Sequence, residues 1–273
     1  MRIALLQQHA GEDRAENLDL ALHNMGLAAE RGAQLVVFPE VALTRFFPQH
    51  RGFSDAAQWA EPIPGPTADR IAARARDLSL VTVFNMYERD ESGRTFDSSP
   101  VFEADGSLLG ITRMVHITDY EWFHEREYYH PGDRGAPVYS TSVGRIGVAI
   151  CYDRHYPEYM RALGVAGAEL VCIPQAGGIG EWPDGMYEAE VRTAAFQNGY
   201  FAALCNRVGV EEKVTFAGES FISDPEGVVV ARGATLEDDI VVADLDLAAC
   251  ADSTARTLFW KDRRPELYGD WLR

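Results

Sequence analysis

Two stretches of this chain read almost alike. AQLVVFP (33–39) and AELVCIP (168–174) each follow a helical pattern and a Gly-Ala step, and each is an apolar, largely β-branched run stopped by proline. Short apolar runs bounded by Gly and Pro are buried strands, and a strand arriving just after a helix is the second half of a βαβ unit. The pair predicts two similar βαβ-like halves and an α/β fold whose central strands are covered on both faces.

The rest of the chain fills in around them. Residues 2–8 read as a buried strand, and 17–31 as a helix with Leu18, Leu22, Met25 and Ala29 on one face. Thr67 is expected to cap a helix running to about 77, and LVTVFNMYE (80–88) to return as one strand. Asp105–Gly106 predicts a hairpin, which excludes a purely parallel sheet. Further helices are expected from the 157 region to about 166 and over 188–198, with strands at YFAALCN (200–206) and IVVADLD (240–246) and a hairpin around Pro225–Glu226–Gly227. Residues 41–65 and 117–135 are irregular and rich in aromatic side chains; the first is too long for a mere connection and is a candidate site wall. With no low-complexity linker in view, one domain spanning 1–273 is expected.

Charge narrows the partners. Forty-two acidic against 25 basic residues leave a net charge of −17, which would repel nucleic acid and anionic membrane surfaces and leaves a small molecule as the expected partner. The four cysteines are far apart, without a CxxC pair or metal-ligand spacing, so a reduced cytoplasm is the expected setting. No apolar run approaches the roughly 20 residues of a membrane span. Met1 leads straight into RIALLQQ, so no signal peptide is expected.

Chemistry gathers at GRIGVAICYDRHYPE (144–158). An apolar strand ends at Cys151, and Pro157–Glu158 then opens a helix. A thiol at such an elbow is held rigidly beside backbone N–H groups that favour thiolate and oxyanion charge. The plainer alternative is a buried structural cysteine. Glu40 follows VVFP at a strand end, where a carboxylate can serve as a general base or simply face solvent. A thiol with a carboxylate base is a coherent plan for acyl transfer.

On these and other motifs the chain resembles the nitrilase (carbon–nitrogen hydrolase) superfamily: VVFPE (36–40), FHEREYYHPGD (123–133), the stretch 144–158, NRVG (206–209) and GES (218–220). FPEVALTRFFP (38–48), ICYDRHYPE, TLEDDI (235–240) and RRPELYG (263–269) make it most similar to the N-carbamoyl amidases, especially the N-carbamoyl-D-amino-acid hydrolases. The resemblance implies a four-layer α-β-β-α sandwich of two pseudo-symmetric halves, an acyl-thioester mechanism without metal or organic cofactor, and a homodimer or larger homo-oligomer. It places the base on Glu40, the nucleophile on Cys151 and a second glutamate on Glu125, with the Tyr152 backbone N–H beside the developing oxyanion. Where the family carries a catalytic lysine, this chain has Met114, within Thr112-Arg113-Met114-Val115-His116.

Strand alternation turns Arg113 away from the Met114 face and brings His116 back to it, as a substitute donor or as a structural histidine orienting a loop. Arg154 is expected to grip a substrate carboxylate, the alternative being an ion pair with Asp153 or Glu158. His155 stands where a second arginine is common. Phe46, Phe47, Trp122 and Phe123 either wall the pocket or pack within it. The function implied is a cysteine-dependent amidohydrolase cleaving a non-peptide C–N bond in a small N-carbamoyl or amide substrate. The alternative is a silent homologue that keeps the pocket for binding a ligand or partner.

Overall fold

The computed structural model describes residues 1–271. Six strands come first: Arg2–Gln7 (β1), Leu35–Val37 (β2), Val81–Val83 (β3), Met86–Arg89 (β4), Thr95–Phe102 (β5) and Leu108–Arg113 (β6). Val138–Thr141 (β7), Gly144–Val148 (β8), Leu170–Gln175 (β9) and Phe201–Asn206 (β10) follow. Val208–Val210 (β11) and Thr215–Ala217 (β12) form a separate ribbon, and Phe221–Ser223 (β13), Val229–Arg232 (β14) and Asp239–Asp244 (β15) complete the set.

One sheet runs β15-β1-β2-β3-β5-β4, with β6 also paired to β5; the other runs β14-β13-β10-β9-β8-β7. Both are mixed. The centres β1-β2-β3 and β8-β9-β10 are parallel, and the hairpin strands and β15 add antiparallel edges.

Side-chain alternation builds the layers. Ile3, Leu5 and Val37 of the first sheet meet Ile146, Val148, Cys172 and Ala203 of the second in one core between the sheets. Their neighbours Ala4, Leu6 and Val36 face outward onto Arg14–Glu30 (α1) and Pro66–Leu78 (α2). Val171, Ile173 and Ala202 face outward onto Pro157–Val165 (α3) and Met186–Asn198 (α4). The result is the expected α-β-β-α sandwich. No helix among the described residues is long and apolar enough to cross a membrane.

Local corrections have local causes. Helix α1 starts before residue 17 because Asp13 caps it, accepting from Ala15 N at 2.7 Å and Glu16 N at 3.3 Å. Thr67 is no cap: it lies inside α2, which begins at Pro66, and the Glu61 carboxylate takes both its N–H and its hydroxyl. The stretch 80–88 is two strands rather than one, broken at Phe84–Asn85. The Asn85 side chain accepts from Val41 N at 2.6 Å and donates to Asp97 at 2.7 Å and Ser99 at 3.0 Å. That break places a buried amide beside Glu40.

Candidate active site

The elbow is real and strained. Strand β8 ends at Val148, and Cys151 opens a short 3-10 turn to His155 with φ of +42°, a left-handed conformation unusual for a residue with a side chain. Val41, just after Glu40, is also left-handed at +39°. Buried Arg207 holds that second bend, donating to the carbonyls of Glu40 (3.0 Å), Val41 (2.9 Å) and Thr44 (2.8 Å) while pairing with Glu211 at 2.6 Å.

These bends bring three candidate side chains together. One side-chain atom each from Glu40, Glu125 and Cys151 lies within 4.8 Å of the others, all buried. The same trio is the one cluster among the described residues with the spacing to hold a metal ion. The Cys151 thiol and the Asp97 carboxyl both lie close enough to Glu40 to act on its titration. Glu125 sits on a 3-10 turn and accepts a long bond from Thr118 N at 3.4 Å.

Burial governs the electrostatics. Desolvation, then the charge of Glu125, pushes Glu40 up to about 8 from an ordinary 4.5. Desolvation and neighbouring carboxylates also raise Glu125 and Asp97. The Cys151 thiol is likewise held well above its ordinary value, by burial and then by Glu40 and Glu125, with Arg154 opposing. The elbow therefore does not produce a resting thiolate. The thiol rests protonated.

Polar atoms without protein partners concentrate here: Glu40 Oε1 and Oε2, Asp97 Oδ2, Glu125 Oε1, the Tyr129 hydroxyl, and Arg154 Nε and Nη2. Buried polar groups are nearly always bonded, so such a cluster marks a place built for a reactant.

The chain matches the carbon-nitrogen hydrolase family over residues 2–254. It belongs to that family. It is 31% identical to an N-carbamoylputrescine amidase of Solanum lycopersicum over 97% of this chain and 93% of that one. It is 30% identical to a citrullinase of Francisella tularensis subsp. tularensis, over 100% and 98% of the two chains. Among solved structures, a carbon-nitrogen hydrolase from Helicobacter pylori superposes with a TM-score of 0.93 at 29% identity, covering 100% of this chain and 98% of that one. An amidase from Nesterenkonia sp. superposes at 0.82 with 26% identity, covering 99% and 96%; a mutant of it carries covalent addition of the acetamide moiety of fluoroacetamide at the active-site cysteine.

Against this family frame, the remaining candidates fall into place. Met114 is fully buried in the core between the sheets, in the same cluster as Cys151. Arg113 points the other way, onto Glu88 at 2.5 Å and over the Phe96 ring at 3.8 Å. His116 does not reach the thiol. Strand β6 has already ended, and its ring is bound to Asp153 at 2.7 Å and stacked on Tyr156 at 3.5 Å. Asp153 also takes the Val115 and His116 N–H groups, so this histidine ties the elbow to the neighbouring loop.

Arg154 is 4% exposed and already engaged: it donates to Cys151 O at 3.0 Å and Gln175 Oε1 at 2.9 Å, and lies 3.4 Å from Glu190 and over the Tyr187 ring. Neither Asp153 nor Glu158 is its partner. His155 shares Glu190 at 2.7 Å, and its ring meets those of Tyr152 and Trp182. Phe46, Phe47 and Phe123 are buried in the core between the sheets, whereas Trp122 is 40% exposed.

The sequence reading missed Asp97, Gln175, Arg207 and Glu181. Gln175 donates to the thiol sulfur at 3.1 Å. A signal for it existed: AELVCIP is followed by Gln175 as AQLVVFP is followed by Glu40. The two halves thus present equivalent strand ends to one thiol. Glu181 accepts from the Tyr120 and Tyr187 hydroxyls and from Gly178 N at 2.9 Å, and its charge also raises the Cys151 thiol. It borders a cleft of about 640 Å³ lined also by Tyr120, Phe123 and Gly178. Arg207 lay within the quoted NRVG, but nothing local tied it to Glu40.

Proposed function

We propose that this protein is a cysteine-dependent amidohydrolase that cleaves the C–N bond of a small N-carbamoyl or amide substrate through an acyl-thioester. The observation that carries this reading is the buried cluster in which a Glu40 oxygen, a Glu125 oxygen and the Cys151 sulfur lie within 4.8 Å of one another. Glu40 takes the thiol proton as sulfur attacks the carbonyl carbon, then gives it to the departing nitrogen. The oxyanion forms beside the Tyr152 N–H at the start of the turn. Glu125 orients the leaving amine and then the water that clears the acyl group. No metal or organic cofactor is needed for these steps.

The relatives' names support an N-carbamoyl substrate. Arg154 is assigned here to positioning Gln175 and the elbow, because its Nη1 is held by Gln175 and the Cys151 carbonyl and its Nε lies 3.4 Å from Glu190, leaving Nη2 alone without a polar partner. Glu181, at the cleft, favours a substrate whose far end is neutral or cationic. Met114, at the position implied for lysine, leaves the oxyanion one donor short.

Ammonia release from a panel of N-carbamoyl amines, N-carbamoyl amino acids and simple amides tests the reading, with intact-mass detection of an acyl adduct. Turnover of at least one N-carbamoyl compound, abolished in Cys151→Ala, is expected. No turnover and no adduct on the whole panel overturns it.

A further inference from the structure

Asp97 sits on β5 with no solvent exposure, its carboxyl against that of Glu40. We propose that Asp97 keeps its proton and donates it in a hydrogen bond to Glu40, a neutral positioning group that holds the base in place where no lysine is present. This rests on the reading of Glu40 as the base.

Full burial of both carboxyls favours one proton held between the two. Two ionised carboxylates in direct contact repel, and in a buried site one of them stays protonated. Asp97 Oδ1 accepts from Asn85 Nδ2 at 2.7 Å, whereas Asp97 Oδ2 and both Glu40 oxygens lack a protein donor. An O–H on Asp97 Oδ2 pointing at one Glu40 oxygen satisfies those two atoms and leaves the other Glu40 oxygen for the thiol. The other groups acting on the pair are Glu125, Cys151, Asp153, Tyr129 and Arg207. Of these only Arg207 is a cation, and its two Nη groups are directed at main-chain carbonyls and Glu211. No lysine contributes: the chain has two, Lys213 and Lys261, both away from this cluster. Burial raises both carboxyls; Glu40, as the base, must be ionised to take the thiol proton, so the retained proton is that of Asp97, whose Oδ2 has no donor.

The proton balance closes. In the active form Asp97 is neutral, Glu40 ionised and Cys151 a thiol. As the sulfur lone pair forms the C–S bond and the carbonyl π pair moves to oxygen, the thiol proton passes to Glu40. The acid pair becomes neutral while the oxyanion gains one negative charge, so the total buried charge is unchanged. The oxyanion then re-forms the carbonyl, the C–N bond breaks with its electrons on nitrogen, and nitrogen takes the Glu40 proton. The Asp97 proton never leaves.

The test reads the pH dependence of Cys151 alkylation by iodoacetamide, which needs no substrate. Its rising limb reports ionisation of Glu40. If Asp97 is a neutral donor, Asp97→Leu shifts that limb to the alkaline side by about one unit or more, because a hydrogen bond to the charged form is lost. Asp97→Asn, whose amide also donates, returns the limb to the wild-type position. If Asp97 is instead ionised, both variants remove a negative charge and both shift the limb to the acid side, which overturns the proposal. Should Asp97→Leu fail to fold, infrared difference spectra of wild type against Asp97→Asn at about pH 9, above the Glu40 midpoint, decide the matter. Loss of a protonated-carboxyl carbonyl band is expected, and loss of an ionised-carboxylate band alone refutes it. The substrate panel staying inert while these shifts occur would defeat the functional reading and leave the acid pair standing.

Discussion

Met114 lies directly across from Asp97 in the hairpin of β5 and β6, one position past the Ser98–Arg113 pair, and donates its backbone N–H to Asp97 O at 2.9 Å. Opposed residues on an antiparallel pair project to the same face, so a buried thioether and a buried carboxyl enter the site side by side. The position across from an acid would suit a cation. Here it is filled by an apolar side chain, and the acid beside it is pushed toward its neutral form.

Met114→Lys tests that arrangement. The two side chains are similar in length and unbranched, and the new ammonium faces Asp97, so the exchange is expected to fit. A donor acting on developing charge raises kcat more than it lowers KM. Ammonia release is expected to rise about tenfold or more, below the hundred- to thousandfold typical of one oxyanion donor. A fall in kcat in a folded variant would show that the mechanism works without a cation here.

Selective alkylation should find Cys151. Cys172 and Cys205 are fully buried in the sheets, and Cys250 donates to Glu169 O at 3.3 Å. None of the three contacts Glu40. Limiting iodoacetamide with peptide mapping is expected to label Cys151 first, faster as Glu40 ionises through about 8. Preferential labelling of another cysteine would remove Cys151 from its role.

Glu40→Gln should stabilise the fold most at alkaline pH. Glu40 is raised from 4.5 to about 8, so the folded chain holds a proton that the unfolded chain has lost across that window. Stability from this group is complete below about 4.5 and declines as pH rises toward 8. Glutamine does not titrate. The melting temperature of the variant minus that of wild type is expected to grow by several degrees from about pH 5 to pH 8, at about 2–4 °C per kcal/mol for larger domains. A difference that stays constant with pH would mean that Glu40 is ionised throughout.

Gln175→Ala removes the amide that bridges the thiol and Arg154. One such hydrogen bond is worth about 1–1.5 kcal/mol, so kcat should fall by about tenfold with little change in KM. A change in KM alone would assign Gln175 to substrate binding.

Arg154→Ala should cost stability before specificity. It strands Glu190 and empties a buried slot, a loss of about 2–3 kcal/mol, below that of a fully buried ion pair because Glu190 is only partly covered. Thermal unfolding measures this loss. The ratio of rates on N-carbamoyl amino acids to N-carbamoyl amines is expected to hold. If only the carboxylate-bearing substrates suffer, Arg154 is the clamp first inferred from its position in the motif.

Much of this was legible in the residues. Apolar runs closed by proline marked the central strands of both halves, Asp105–Gly106 marked the hairpin, and the strand-to-turn stretch ending at Cys151 marked the elbow. Glu40 was legible as a strand-end acid. Gln175 was legible in principle, as the residue that follows the second half of the repeat.

His116 shows where such reading stops. Alternation holds only while the chain stays in the sheet; β6 ends at Arg113, and the Asp153 carboxylate then captures Val115 and His116. The sequence by itself determined the order of elements, the faces they bury and the thiol at the turn, because periodicity and turn chemistry act over a few residues. The tertiary structure alone decided that Asp97 meets Glu40, that Arg207 braces the Glu40 bend, that Arg154 is occupied and that Cys151 rests as a thiol. Those outcomes depend on which charges share one dry space, and that space is assembled from positions more than a hundred residues apart, such as Glu40 and Arg207.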